Sequence, residues 1–174
     1  MASIAPSVDV SIRPVLAHGF EALRMSRSML NDLLAAMTDE QLMIRACPKA
    51  NHSVWCLGHI ACTDDYILHA VAGRPSGMPE GWNELFGYGS EVSDDASKYP
   101  SRAELMKALE GRREALLGWM MTLDEPAMCR PTEGEMAQFA PTAGQLAPFL
   151  AFHEGFHTGQ LSAARRAAGL DRLF

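Results

Sequence analysis

Leu16, Phe20, Leu23, Leu30, Leu34 and Met37 recur at three- and four-residue steps. That spacing puts them on one stripe of a helix, predicted from about Ile12 to Met37. Pro14 suits its first turn, where a missing N–H costs nothing. Arg27 lies near the stripe, and His18 reads as a surface or boundary residue. Thr38-Asp39-Glu40-Gln41 has the form of a capping box and predicts a short helical turn ending before Pro48. Ser53 is the expected N-cap of a second long helix through the apolar run Val54 to Val71, ending near Ala72 at Gly73 and Pro75. Trp55, His59, Cys62, Thr63 and Tyr66 share a face of that helix that should point inward, whereas Asp64 and Asp65 are expected to meet solvent. Ser101 with Glu104 predicts a third helix to about Leu123, its stripe formed by Leu105, Leu109, Leu116, Met120 and Leu123. Thr142 with Gln145 opens a fourth, which runs to about Ala168 and closes at Gly169 as a C′ residue.

Between the second and third helices, residues 74–100 are rich in Gly, Pro and Ser. A connection of that length is expected to be a structured crossover or lid. Trp82, Leu85, Phe86 and Tyr88 give it an apolar side that should pack down. A second loop, Asp124 to Pro141, carries three prolines. No alternating strand pattern and no internal repeat interrupts the helices. The expected fold is therefore all-α: a four-helix bundle with a long loop between helices two and three, forming one domain over residues 1–174.

Composition narrows the function classes. The chain has 174 residues, 48% of them apolar, and a formal net charge of −6. No block of Lys or Arg supports nucleic-acid binding. The pairs Arg112-Arg113 and Arg165-Arg166 read as solvated helix faces. No apolar run is long enough to span a membrane. The opening MASIAPSVDVSIRP lacks the basic start and apolar centre of a signal peptide, its first ten or so residues read as disordered, and the expected location is the cytoplasm. Cys47, Cys56, Cys62 and Cys129 form no C-x-x-C pair and fit a reduced compartment.

The chemistry concentrates on the fourth helix, in Phe152-His153-Glu154-Gly155-Phe156-His157-Thr158-Gly159-Gln160. His153 and His157 stand four residues apart, about 40° in azimuth and one turn in height. Two imidazoles placed so can grip one metal ion from the same side. A third ligand must come from elsewhere, and His59 on the inward face of the second helix is the best candidate. Cys62, three residues on, could add a thiolate. Gln160 shares the face of the two histidines and could orient a ligand or tie two helices together. Tyr66 could line the same cavity. Read literally, His-Glu-x-x-His would make Glu154 the general base of a zinc peptidase. That reading lacks its context: Asp171 is the only carboxylate after His157, and no strand is available to bind an extended peptide. Glu154 reads instead as a helix-surface carboxylate or a group that orients a ligand.

Taken together, several segments resemble the DinB-like superfamily of four-helix bundles, which includes the YfiT-like proteins. They are Thr38-Asp39-Glu40-Gln41-Leu42, Ser53-Val54 followed by Gly58-His59-Ile60, Pro79-Glu80-Gly81-Trp82 with Leu85-Phe86-Gly87, and Thr142-Ala143-Gly144-Gln145-Leu146 followed by His153-x-x-x-His157-x-Gly159-Gln160. The resemblance implies a divalent-metal site, nickel or zinc, at His59, His153 and His157. It also implies a cytoplasmic homodimer acting on a small-molecule substrate, and in some relatives transfer of low-molecular-weight thiols such as bacillithiol or mycothiol. Three neutral imidazoles leave coordination positions open, which suits thiol transfer or hydrolysis. A non-catalytic dimeric bundle that stores or senses a metal or ligand is the alternative. No catalytic residue is assigned by the sequence.

Overall fold

Apolar stripes become helix contacts throughout the molecule. The computed structural model describes residues 14–173. The predicted start of the first helix at Ile12, and the disorder expected of the first ten residues, lie outside that range. The described residues are all-α. Four long helices dominate: α1 (Pro14–Leu34), α3 (Ser53–Ala70), α5 (Arg102–Met120) and α8 (Leu146–Ala167). Four short ones, α2 (Asp39–Leu42), α4 (Trp82–Phe86), α6 (Glu125–Met128) and α7 (Met136–Phe139), sit in the connections. No helix among the described residues is long and apolar enough to cross a membrane.

Helix α1 packs along α8, α3 packs along α5, and α3 also meets α8. Every apolar residue expected on the α1 stripe is buried, as are Leu105, Leu109, Leu116 and Met120 on α5. Gly19 permits the close approach of α1 to α8, because a Cβ there would lie 2.7 Å from that of Ala147.

Local chemistry sets the helix ends. The Thr38/Gln41 and Ser101/Glu104 capping boxes form, with Thr38 and Ser101 N–H groups donating to the partner side chains at 2.9 and 2.8 Å. Gln145 Oε1 accepts from Thr142 N–H at 3.0 Å, and a 3₁₀ turn over Ala143–Gln145 leads into α8. At the far end Gly169 has φ +81°. Its N–H donates to Arg166 O and that of Leu170 to Arg165 O, the paired bonds of a Schellman motif. The N-cap of α3 departs from expectation. His52, not Ser53, caps the helix: its imidazole Nδ1 accepts from Trp55 N–H at 3.1 Å, while Ser53 is already the first helical residue.

The connection over residues 71–101 is folded onto α3 by Trp82 and Phe86, both buried on α4. Tyr88 does not join them; it is 93% exposed.

The interior divides into two apolar clusters. One gathers Leu30, Leu57, Phe86, Leu109 and Leu161; the other gathers Leu16, Phe20, Ile67, Leu116 and Leu150. Between them each long helix carries buried charge: Arg27 on α1, Asp64 and its neighbour Asp65 on α3, Arg113 on α5 and Glu154 on α8. Two sequence expectations fail here. Asp64 and Asp65 do not meet solvent, and Arg113 is not on a solvated face. Asp64 accepts from Arg113 at 2.8 and 3.2 Å. Asp65 accepts from Ser76 Oγ, Gly77 N–H and Arg112 Nη1 at 2.6, 2.9 and 3.2 Å, which ties the start of the long connection to α3. Arg165 is likewise buried, donating to the carbonyls of Leu33 and Asp171 at 3.1 Å each. In each case burial is made tolerable by a partner that only the tertiary fold supplies.

Candidate metal centre

His153 and His157 lie one turn apart on α8, and α3 brings His59 against them. The ring centroids stand 5.1 Å apart for His59 and His153, 4.9 Å for His59 and His157, and 4.7 Å for His153 and His157. One ligating atom from each lies within 4.8 Å of the others, so the three form a group that could hold one metal ion. The Nε2 atoms of His59 and His153 are 3.2 Å apart. Nitrogens bound at about 2.0–2.1 Å around a tetrahedral zinc stand roughly 3.3 Å from one another, so that pair already has ligand spacing.

The surroundings determine which nitrogen each ring presents. His59 Nδ1 lies 2.7 Å from the carbonyl oxygen of Phe86. A carbonyl only accepts, so Nδ1 carries the proton and Nε2 keeps its lone pair for the site. His157 Nδ1 lies 3.0 Å from Gln160 Oε1, which fixes that ring in the same way. The same amide oxygen accepts from Asn51 Nδ2 at 3.4 Å and Cys56 Sγ at 3.3 Å. His153 Nδ1 is buried without a hydrogen-bond partner among the described residues, so no protein group fixes the tautomer of this ring from behind. Trp55 stacks on His59 with 4.5 Å between centroids and 12° between planes. Its Nε1 donates to Ser90 Oγ at 2.9 Å, which fixes the ring.

Electrostatics keep all three imidazoles neutral, the form that ligates. Burial pushes His153 down to about 3, with the neighbouring His157 and His59 adding to the effect. Burial and His59 push His157 down to about 4, against the opposing pull of Gln160. Burial lowers His59 as well, partly offset by the Phe86 carbonyl. Three neutral nitrogen donors, two of them held in one tautomer from behind, fit a divalent transition metal.

The sequence model of the DinB superfamily matches residues 22–161, a span that contains all three histidines. The chain belongs to that superfamily. No curated protein matches the chain. In this DinB-superfamily chain, the other residues singled out by sequence divide into those at the site and those away from it. Gln160 is at the site, behind His157. Tyr66 lines the cavity outside the histidines but is 41% exposed. Cys62 also lines it, yet its thiol points to the Trp82 carbonyl at 3.6 Å, and burial pushes it up to about 12, far from a ready thiolate.

Glu154 corrects an expectation. It is neither on the helix surface nor aimed at the histidines. It is 0% exposed and receives Arg27 at 2.7 and 3.1 Å and Arg113 at 2.7 Å. Burial pushes its carboxyl up, but the two guanidinium groups outweigh that and hold it below the usual range. A carboxylate so engaged cannot serve as a general base, and the peptidase reading falls with it. Sequence reasoning placed Trp55 on the inward face with His59 and Phe86 on the apolar side of the long connection, but gave neither a role at the site. A backbone carbonyl leaves no compositional trace. Trp55 did carry a signal: it stands four residues before His59, one turn away on the same face.

Proposed function

We propose that this chain is a divalent-metal-dependent protein that processes a small molecule in the cavity beside His59, His153 and His157. The observation that carries the reading is the clustering of three imidazoles within reach of one ion, with Phe86 O and Gln160 Oε1 engaging Nδ1 of His59 and His157 and so leaving their Nε2 atoms free to ligate. A divalent cation bound there, nickel or zinc by family likeness, would supply Lewis acidity to a substrate donor atom. The protein's share is to hold the ion with His59, His153 and His157, to orient His157 through Gln160, and to keep water from the apolar wall around Trp55. Thiol transfer and hydrolysis are the two reactions that such a centre suits. On this reading Gln160 and Tyr66 border the bound substrate, and the four long helices form a single-domain bundle that works as a cytoplasmic homodimer.

Metal analysis of the untagged protein tests the core of the reading. One equivalent of zinc or nickel is expected. Each of His59→Ala, His153→Ala and His157→Ala should weaken zinc binding by at least roughly the 10–100-fold typical of lesser, supporting groups, with helical content retained. Stoichiometric binding that all three variants preserve would sink the proposal. Light scattering on the same samples should report a dimer, and a monomer at micromolar concentration would remove that part of it.

A further inference from the structure

The three histidines line a cavity of about 830 Å³. That volume suits a whole small molecule. Its walls are aromatic. Phe139 meets Phe149 with ring centroids 5.5 Å apart, Phe149 meets His153 at 5.8 Å, and Phe156 meets His157 at 5.3 Å. A continuous aromatic surface therefore runs from the rim to the imidazoles. At the rim Phe139, Phe152 and Phe156 are 59%, 71% and 57% exposed. Large aromatic side chains left in water beside a concave site mark a binding surface.

Charge is what the lining lacks. Among the described residues no Lys or Arg lines this cavity, and Glu135 is its one carboxylate. The remaining polar groups carry no formal charge, among them Asn51, Thr63, Asn83, Ser90, Gln138 and Gln160. A ligand with several carboxylates would surrender their hydration to an aromatic wall without a cation in return, and would face Glu135. Imidazole ligands bring no negative charge, so an ion held by these three would keep its full charge for an anionic donor group.

We propose that the cavity takes a small molecule with an uncharged, largely aromatic body and at most one anionic group, the end that meets the histidines. It selects against polyanionic thiols. The metal-facing end of this inference rests on the metal reading above; the aromatic body does not. The natural occupant is accordingly an aryl or arylalkyl compound with one thiol, carboxyl or comparable donor.

The test uses the full chain, both metal-free and zinc-loaded, and the neutral fluorophore N-phenyl-1-naphthylamine. Saturable one-to-one binding is expected in both forms. Phe156→Asp, at an exposed position where folding is not at stake, should weaken it by roughly tenfold or more by setting a carboxylate against the apolar probe. On the zinc-loaded chain, 4-phenylbutane-1-thiol should displace the probe at a concentration at least about tenfold below that of glutathione, which carries two carboxylates. Gln138→Lys should narrow that gap by giving the cavity a cation. Absence of saturable probe binding, indifference to Phe156→Asp, or displacement by glutathione at equal or lower concentration would each overturn the proposal. Failure of zinc to bind, with probe binding and its loss in Phe156→Asp intact, would remove the metal reading and leave the aromatic cavity standing.

Discussion

Gly58 shows how a residue without a side chain can determine a metal ligand. A Cβ on Gly58 would stand 2.3–2.4 Å from the Phe86 ring, which is fully buried and cannot swing away. The Phe86 carbonyl in turn holds His59 Nδ1. Gly58→Ala gains up to about 1 kcal/mol in helix propensity, but overpacking a filled core costs about 1–3 kcal/mol. The contact is so short that the second effect should win. We expect Gly58→Ala to lower the denaturation midpoint and to weaken zinc binding about tenfold by displacing the group behind His59. Gly58→Ala combined with Phe86→Leu should recover much of the stability. A single variant as stable as the parent, with unchanged zinc affinity, would refute this link. The histidines were legible because their signal is one of spacing: two at helical interval and a third on an inward face. The groups behind them were legible only where a side chain on the same face was involved, as with Gln160.

At the scale of elements, sequence carried the long helices and their stops well, because capping boxes and the Gly169 terminus are local devices that work within a few residues. The N-cap of α3 was misread for a physical reason. Ser53 has the usual capping chemistry, but His52 precedes it and has an acceptor nitrogen of its own. Both imidazole nitrogens are occupied: Nδ1 accepts from Trp55 N–H, and Nε2–H donates to Ser93 O at 3.0 Å. Only the neutral ring can do both, and burial lowers its pKa accordingly. With the folded value below the ordinary value of about 6.5, the unfolded chain binds more protons in that window. Stability from this cap is thus fully present above about pH 6.5 and is lost as pH falls through the folded value. His52→Asn keeps a capping acceptor but forfeits the bond to Ser93, at a cost of about 1 kcal/mol. It should therefore be less stable than the parent at pH 8 and lose less on acidification, as read by urea denaturation at pH 8 and pH 5. Equal pH slopes would show that His52 does not contribute to acid sensitivity. The short helices α4, α6 and α7 escaped prediction because four or five residues cannot display a period of 3.6.

For the whole molecule, the decisive feature is the layer of charge between the two apolar clusters. Arg27, Asp64, Arg113 and Glu154 come one from each long helix, and Glu154 joins Arg27 to Arg113, which also binds Asp64. The pattern did leave a trace in the sequence. Each charged residue occupies a stripe position, as in Leu23-Arg27-Leu30, Leu109-Arg113-Leu116 and Leu150-Glu154-Leu161. Such positions look like ordinary helix-surface charges until their partners on other helices are known. Two cations and two anions balance, so removing one is costly: an uncompensated buried charge destabilises by about 3–5 kcal/mol. Glu154→Gln should fall in that range, because two guanidinium groups would then share Asp64 alone. Replacing the whole set with apolar side chains of similar size (Arg27→Met, Asp64→Leu, Arg113→Met, Glu154→Leu) removes the uncompensated charge, and such replacements can be neutral or stabilising. The two outcomes separate stability from positioning. Glu154 adjoins His153, and Asp64 lies five residues beyond His59 on the helix that carries it, so the layer also fixes how α8 sits against α3. If that is its role, the quadruple variant should match the parent in urea denaturation yet bind zinc more weakly, with His59 no longer in register with His153 and His157. Zinc affinity equal to the parent's in a well-folded quadruple variant would reduce the layer to a balanced set of buried charges with no bearing on the site.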